Sequence, residues 1–497
     1  MTVDENLAQA AGSDQELPAG AGRVLTREGA LAIYRAGEEA VVRVLLEMDE
    51  RIRRLEERVA KDSHNSSKPP SSDGLGKPRP KSLRRPSQRP TGGQPGHPGQ
   101  TLRMVDKPDR TVRHPVERCA NCGRSLAKQA PDRLERRQVF DLPEPKLEST
   151  EHQAEIKTCP CGCVNRAEFP SGVTAPVQYG LRIKSMAVYL KEYQLLPFER
   201  LAEIMRDLFG CGTFSEGTVA NYAVDCSRRL ESVDAAVREQ ATNAAVAGFD
   251  ETGLRSEGSL HWLHVVSTRW LTWYFAHRRR GCQAMDAAGV LPEFHGRAVH
   301  DFWGPYLQYG CDHAFCNGHL LRELIFLWEE QNQKWAKAMI DHLLAIKTNV
   351  DAARGQGLDK LSDANLDRFH RRYLRIVAAG YAENPAADRP TTPKRRGRRI
   401  QTKARNLLDR LRHHSEEILA FMRDFSVPFD NNLSERDLRM VKLRQKLSGT
   451  FRNFTALVNF CRIRGYISTA RKNGLNALDA LLRAFLGHPF VPTFNTS

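Results

Sequence analysis

The sequence predicts a multidomain protein of the α+β class, in which a mixed core of strands and helices is joined to smaller helical and cysteine-containing segments. Three observations lead to this prediction. The 497 residues are enough for about three domains. The hydrophobic fraction of 40% and the charged fraction of 27% are typical of a globular chain. After about residue 240, short apolar runs typical of strands alternate with amphipathic helical stretches.

The charge balance predicts a polyanionic partner. The chain has 75 Lys and Arg residues against 59 Asp and Glu residues, a formal net charge of +16. An excess of this size most simply favours binding to nucleic acid. The alternative is that the charge serves solubility alone.

Several protein classes are excluded at this level. No stretch approaches the roughly 20 consecutive apolar residues of a membrane helix. The first 20 residues lack the basic and apolar regions of a secretory signal. The 11 cysteines are odd in number, and five of them lie between Cys119 and Cys163, which is a pattern for a metal site rather than a disulfide framework. We therefore expect a cytoplasmic protein with no membrane span.

The N-terminal part predicts self-association. Residues 1–37 are predicted to be disordered, and residues 38–62 to form a coiled-coil helix. Apolar residues recur there in alternating steps of four and three, the spacing of a coiled-coil seam: Val41, Leu45, Met48, Ile52, Leu55 and Val59. The alternative is a single amphipathic helix that packs on its own chain.

Residues 63–110 are predicted to be a flexible basic linker. Pro, Ser and Gly dominate up to residue 100, and Asp73 is the one acid among seven basic residues there. Such a segment has too little apolar surface to offset the entropy cost of ordering. It either lies along DNA phosphates or serves as a passive tether.

Residues 111–172 are predicted to bind a structural Zn²⁺ ion. Cys119 and Cys122 form a CxxC pair followed by Gly, and Cys159, Cys161 and Cys163 lie further along. Four thiolates from two short turns suit tetrahedral zinc. Cys159 and Cys161 are the predicted second pair, with Cys163 as a competitor. The alternative is a degenerate knuckle with free thiols.

Residues 173–238 are predicted to be helical and to bind DNA. A helix from Phe198 ends at Gly210-Cys-Gly212, and Ser215 can cap the next helix. This is the outline of a helix-turn-helix. A plain helical bundle shows the same outline.

Three acids stand at positions suited to phosphoryl transfer. Asp250 and Asp301 each end a short apolar strand, and Glu435 opens a helix. Two Mg²⁺ ions held by a few such carboxylates stabilise the attacking and leaving oxygens of an in-line displacement. Spacing alone is weak support for this site, because most acids are solvated surface charges.

Several motifs, in order, resemble the insertion-sequence-sixty-six family of bacterial DDE transposases, from about residue 40 to the end of the chain. The motifs are HNSSKPPSSDG (64–74), GGQPGHPG (92–99), CANCG (119–123), APVQYG (175–180), LLPFERLAEI (195–204), FDETGLR (249–255), HDFWGPY (300–306) and DNNLSERDLR (430–439). The last of these is the most specific match.

The resemblance implies a ribonuclease-H-like catalytic core with a helical insertion. The core would comprise 239–330 and 425–475, with the insertion at 331–424 and a C-terminal tail at 476–497. Asp250, Asp301 and Glu435 would then hold two Mg²⁺ (or Mn²⁺) ions. Such an enzyme cuts element ends and joins the 3′-hydroxyls to target DNA. The alternatives are a non-catalytic DNA-binding regulator or decayed element, and a nuclease on the same fold.

Further residues are predicted to support this reaction. Basic residues near the third acid and in the insertion would bind DNA phosphates, unless they form a solvated basic face: Arg436, Arg439, Lys442, Arg444, Lys394, Arg395, Arg396, Arg398 and Arg399. Cys316 and His319 resemble a CxxH element that follows the second acid, with a supporting role or plain packing as the two interpretations. The expected partners are element ends, target DNA, a second subunit or higher oligomer, and accessory proteins of the same element.

Overall fold

The structure is a computed structural model. It describes residues 26–62, 64–66, 101–145, 147–385 and 401–493. Most of the predicted basic linker and the basic loop at 394–399 lie outside these residues. None of the described helices is long and apolar enough to cross a membrane.

Two helices precede the linker. They are α1 (Arg27–Arg35) and α2 (Glu38–Ala60). The hydroxyl of Thr26 caps α1 by accepting a hydrogen bond from the Gly29 N–H at 3.2 Å. The prediction of disorder up to residue 37 is therefore wrong for α1. Helix α2 spans most of segment 38–62, for which a coiled coil stays a prediction.

The cysteine-containing segment has little regular structure. Its two short antiparallel strands are β1 (Ile156–Thr158) and β2 (Val164–Arg166). Cys159, Cys161 and Cys163 lie in the turn between these strands, and all three are exposed.

A helical bundle follows, as predicted. Its members are α3 (Leu181–Val188), a π-helical turn (Tyr189–Tyr193), α4 (Phe198–Phe209), α5 (Glu216–Arg229) and α6 (Glu231–Thr242). Gly210 ends α4 in the left-handed conformation, with φ of 65°, which glycine adopts without strain. The Ser215 hydroxyl accepts from the Thr218 N–H and caps α5, confirming the predicted helix, glycine turn and helix.

The centre of the fold is a five-stranded mixed sheet. Its strands are β3 (Val246–Ser256), β4 (Ser259–Ser267), β5 (Thr272–His277), β6 (Arg297–His300) and β7 (Asp312–Phe315). Their order is β5-β4-β3-β6-β7. The first three strands are antiparallel, while β6 lies parallel to both β3 and β7. Helix α7 (Cys282–Ala288) connects β5 to β6.

The remaining described chain is helical. Its helices are α8 (Asn317–Gln331), α9 (Lys334–Gly355), α10 (Asp363–Glu383), α11 (Lys403–His413), α12 (Ser415–Ile418), α13 (Ala420–Arg423), α14 (Asn432–Ser448), α15 (Phe454–Lys472) and α16 (Ala477–Phe485). Helices α8 to α13 share one apolar core, which includes the fully buried Trp335 and Tyr373.

Helices α14 and α15 pack on β3, β4 and β5. A Cβ atom at Gly465 would lie 3.1 Å from the Thr272 carbonyl oxygen, so this glycine lets α15 approach β5 closely. Within the segment 476–497, α16 buries Leu481 and Phe485 in the core beside α5 and α15.

Candidate active site

The sheet places the first two acids at the same level on neighbouring strands. Gly248 of β3 lies opposite Val299 of β6 in parallel register. Asp250 lies two residues further along, within β3 rather than at its end as predicted, and Asp301 directly follows the last residue of β6. The Asp301 carboxylate accepts the Trp303 N–H at 2.9 Å, which fixes the turn after β6.

Helix α14 brings the third acid to the first two. Asn431, at the start of this helix, is 4% exposed, and its side-chain N–H donates to the Phe249 carbonyl at 2.8 Å. Its backbone N–H donates to the sulfur of Cys316 at 3.2 Å. Asn431 therefore joins β3, the start of α8 and α14. Glu435 lies one helical turn after Asn431, on α14 and not on a strand of the sheet.

The electrostatics of Asp250 show that the acids share one neighbourhood. Burial raises the pKa of its carboxyl well above the usual range, and the charge of Glu251 raises it further. A hydrogen bond from the Glu251 backbone N–H at 2.8 Å opposes these effects. The charges of Glu435 and Asp301 also raise the pKa of Asp250. A cation bound among these carboxylates would relieve their mutual repulsion.

Gly248 is required for the close approach of α14 to β3. A Cβ atom at this position would lie 2.3 Å from the Asn431 side-chain oxygen and 2.4 Å from the Ser434 hydroxyl. Real Cβ atoms do not come this close to other heavy atoms. Asn431 and Ser434 are both buried in the first part of α14, so they have little room to move.

We expect Gly248→Ala to displace α14 and with it Glu435. Strand transfer should fall by on the order of a hundredfold, since a displacement of about 1 Å at a catalytic group has effects of this size. Gly253→Ala on the same strand is the matched control, because its new Cβ would meet flexible side chains at 3.3 Å or more. Strand-transfer rates of the two variants check this prediction. Equal activity would show that α14 adjusts without cost.

Glu435 lies beside two residues of α8. Its carboxylate is 3.7 Å from His319 Nδ1 and 3.8 Å from Arg322 Nη2. Among the described residues, Cys316, His319 and Glu435 are the one group of three or more potential metal-binding side chains whose ligand atoms all lie within 4.8 Å of one another. Burial raises the pKa of Cys316 to about 12, so the sulfur is a protonated thiol. This arrangement supports a role in holding Glu435.

Sequence reasoning assigned no role to Glu251, the neighbour of Asp250. Its carboxylate pairs with Arg280 at 2.6 Å and accepts the hydroxyl of Tyr306. The guanidinium of Arg280 lies between two indole rings, 4.7 Å from Trp262 and 3.9 Å from Trp303. These contacts fasten the loop after β6 to β3, and so hold Asp301 beside Asp250. The aromatic residues of HDFWGPY were the available signal.

The two other acids of the third motif, Asp430 and Asp437, have structural roles that differ from that of Glu435. Asp437 is 9% exposed and accepts from Ser267 at 2.7 Å, from Thr272 at 2.9 Å and from Lys472 at 2.9 Å. It therefore anchors α14 to the sheet and to α15 rather than facing the other acids. Asp430 accepts the Asn432 N–H at 3.1 Å, as an acid before a helix does.

The predicted DNA-binding residues divide into three groups. Arg436, Arg439 and Lys442 are exposed on α14. Arg444 is only 6% exposed and lies 3.5 Å from the ring centre of Phe451, so the structure does not support phosphate binding by this residue. The residues Lys394, Arg395, Arg396, Arg398 and Arg399 lie outside the described residues.

The exposed cations form a track that leads away from Glu435. Residues three or four apart share a helix face, so Arg439, Lys442 and the exposed Lys446 follow Glu435 along one side of α14. We call Arg439, Lys442 and Lys446 the α14 basic track. Sequence reasoning missed Lys446, although the same spacing would have found it.

We expect Arg439→Gln and Lys446→Gln each to weaken DNA binding and to lower the salt slope of log K by about one. The control is Lys337→Gln on α9, because Lys337 is already paired with Asp341 at 2.5 Å. DNA affinities measured over a range of salt concentrations check this. A control that changes the slope as much as the two variants would contradict a specific basic track.

The predicted zinc ligands form two separate turns. Hydrogen bonds from the Cys122 backbone lower the pKa of Cys119, and those from the Cys163 backbone lower the pKa of Cys161. The described residues do not bring three of these cysteines within 4.8 Å of one another. The four-thiolate site of Cys119, Cys122, Cys159 and Cys161 therefore stays a prediction.

The mixed sheet, the neighbouring acids and the α14 basic track are typical of an α+β protein that binds a polyanion. Comparison with protein families makes the class specific. The model of the Transposase IS66 family matches residues 176–458, more than half of the chain, and the chain therefore belongs to that family. This confirms the family predicted from the motifs and shows a transposase role. The match includes Asp250, Asp301 and Glu435.

A second family model covers the N-terminal part. A family of unknown function, DUF6444, matches residues 32–103, which span α2 and most of the predicted linker. A comparison with curated proteins finds no match to the chain.

Proposed function

We propose that this transposase is a DDE-type enzyme with a ribonuclease-H-like core. Asp250, Asp301 and Glu435 would hold two Mg²⁺ (or Mn²⁺) ions, and the enzyme would cut element ends and join their 3′-hydroxyls to target DNA. One observation carries the proposal: β3, β6 and α14 bring these carboxylates close enough for Asp301 and Glu435 to raise the pKa of the buried Asp250.

The donor set fits a hard cation. All three side chains offer carboxylate oxygens, which Mg²⁺ prefers; Asp250 lies in a strand, and Asp301 directly follows one. These partly buried, mutually repelling acids cost free energy without a counter-charge. Bound divalent ions would activate the attacking oxygen and stabilise the leaving oxygen of the transferred phosphate.

The chain's own residues would position the reactants. Arg280 and Tyr306 hold Glu251, and so keep the loop of Asp301 in place. Asn431 fixes the start of α14, and thereby the position of Glu435. The α14 basic track would bind the DNA backbone beside the acids.

Other segments would contribute binding. The zinc segment, the helix-turn-helix-like bundle and the basic linker would recognise element ends. The helix α2 would pair subunits in a dimer or higher oligomer, so that two ends are processed together. Accessory proteins of the same element would assist. Such a protein would work in the cytoplasm, associated with the nucleoid when bound to DNA.

The test is strand transfer by the purified full chain with Mg²⁺, labelled element ends and a plasmid target, with any accessory proteins of the element supplied. Glu435→Gln is expected to abolish joining while end binding is retained, because it removes a charge and a metal ligand. Glu323→Gln on α8 is the control, since Glu323 pairs with Arg410 and is not among the three acids.

Each result points to a specific interpretation. End binding with neither cleavage nor joining by the unmodified chain would favour the non-catalytic regulator or decayed element. Cleavage without joining would favour a nuclease on the same fold. Joining that survives Glu435→Gln would overturn the assignment of the third acid.

A further inference from the structure

Helix α2 carries an exposed apolar stripe. Leu45, Met48, Ile52 and Leu55 are 44–60% exposed, far more than core residues of this size. They lie on one side of the helix, in the alternating steps of three and four that define a coiled-coil seam. Val41 and Val59 continue the seam at its two ends. A stripe of this kind normally marks an interaction surface.

The chain's own contacts use the opposite side of α2. Glu57 accepts a hydrogen bond from Gln331 at 3.1 Å and pairs with Lys403. Lys61 follows the helix and lies 5.5 Å from the ring centre of Phe326. In heptad terms Glu57 is at position f, directly opposite the a and d positions of the seam. The helical part of the protein therefore contacts the C-terminal end of α2 on the side opposite the seam, and Leu45, Met48, Ile52 and Leu55 stay exposed.

The seam residues favour two strands. With the seam in register, Leu45, Ile52 and Val59 occupy a positions, and Val41, Met48 and Leu55 occupy d positions. In the C-terminal half of the seam, Ile52 and Val59 at a with Leu55 at d match the pattern that favours a two-stranded coiled coil. A second copy of this chain presents the same seam, so a symmetric pair is self-complementary.

The flanking charges decide the orientation. Arg51 and Arg58 are at g positions, whereas Asp49 and Glu56 are at e positions, and all four are exposed. In a parallel pair, each g residue faces the e residue five positions further on in the other chain. Arg51 then faces Glu56 of the partner subunit, and symmetry repeats this attraction. An antiparallel pair would set g against g and e against e, which brings like charges together.

We propose that the chain forms a parallel, in-register dimer through α2, with reciprocal ion pairs between Arg51 and Glu56 of the partner subunit. In this arrangement the C-terminal ends of the two α2 helices lie together. Because each catalytic body is attached at that end, through Glu57 and Lys61, the two bodies lie at the same end of the coiled coil. This goes beyond the proposed reaction by giving the orientation of the two subunits.

The test measures dimerisation of the full chain by sedimentation equilibrium, without DNA, so that its outcome is independent of catalytic activity. Arg51→Glu and Glu56→Arg should each raise the dimer dissociation constant by on the order of tenfold, because two attractive pairs become repulsive. An equimolar mixture of the two variants should restore tight dimers, since every facing pair is then opposite in charge. Ile52→Glu should abolish the dimer, and circular dichroism controls for folding.

Three outcomes would overturn the proposal. The unmodified chain could remain monomeric up to about 100 μM, well above the micromolar range of weak specific association. Dimers could persist in Ile52→Glu, which would place the interface elsewhere. Tighter dimers in either charge variant alone would indicate the antiparallel orientation. Loss of strand transfer in a chain that still dimerises as described would count against the proposed reaction and not against this interface.

Discussion

Asp250→Asn is expected to abolish strand transfer and to stabilise the metal-free protein. Loss of a metal-binding charge should lower activity by on the order of a thousandfold or more. The stability gain follows from the raised pKa of this buried carboxyl. The folded state keeps its proton to higher pH than the unfolded state does, so stability falls as pH rises above the usual carboxyl range. Asn cannot ionise, so the variant does not lose stability in this way as pH rises.

Thermal unfolding between pH 5 and 8 checks the prediction. Without metal, the variant should unfold at a higher temperature than the unmodified protein near neutral pH, and the difference should shrink toward pH 5. Added Mg²⁺ should raise the unfolding temperature of the unmodified protein more than that of the variant. Asp312→Asn is the control, because Asp312 is exposed and paired with Arg297. An Asp250→Asn variant that retains strand transfer would remove Asp250 from the catalytic set.

Asp437→Ala is expected to destabilise the protein by about 3–5 kcal/mol. Its carboxylate accepts from Lys472, Ser267 and Thr272 in a region almost closed to water. The Lys472 side chain is 12% exposed, and burial already lowers its pKa despite the nearby carboxylate. Without Asp437, a buried ammonium and two hydroxyls lose their shared acceptor.

Denaturant unfolding, followed by tryptophan fluorescence, measures this loss. The control is Asp430→Ala, which removes a cap-like hydrogen bond and should cost about 1 kcal/mol. Adding Lys472→Met to Asp437→Ala should recover part of the loss, because the unpaired charge is then gone. Equal losses for Asp437→Ala and Asp430→Ala would show that the buried cluster contributes little.

Regular elements with strong local patterns were predictable from the sequence. The strands β3 to β6 lie where short apolar runs after residue 240 predict strands. Helices α4 and α5 lie on either side of the predicted glycine turn, and the predicted serine cap begins α5. The strand β7 was missed because its four residues are too few to show a period. Helix α1 lay in a stretch predicted to be a disordered terminus. The burial of α16 depends on its packing against α5 and α15, which local spacing does not show.

The candidate site shows the same division. The three candidate acids were identifiable because each lies within a motif of the family, although β3 continues six residues beyond Asp250. Their neighbours were not. Arg439 and Arg444 are both cations of α14, yet one is exposed and the other is enclosed by Phe451. Local spacing gives the helix face of each residue, but not which distant segment covers that face.

By itself, the sequence determined the family, the α+β class and the charge that points to DNA, and it singled out three candidate acids, because these depend on residue types and short-range order. The tertiary structure alone decided that Gly248 admits α14 to β3, that Asp437 is an anchor, and that Glu251 holds the loop of Asp301 through Arg280 and Tyr306. Each of these depends on contacts between residues far apart in the chain, and such contacts form only when the helices pack on the sheet.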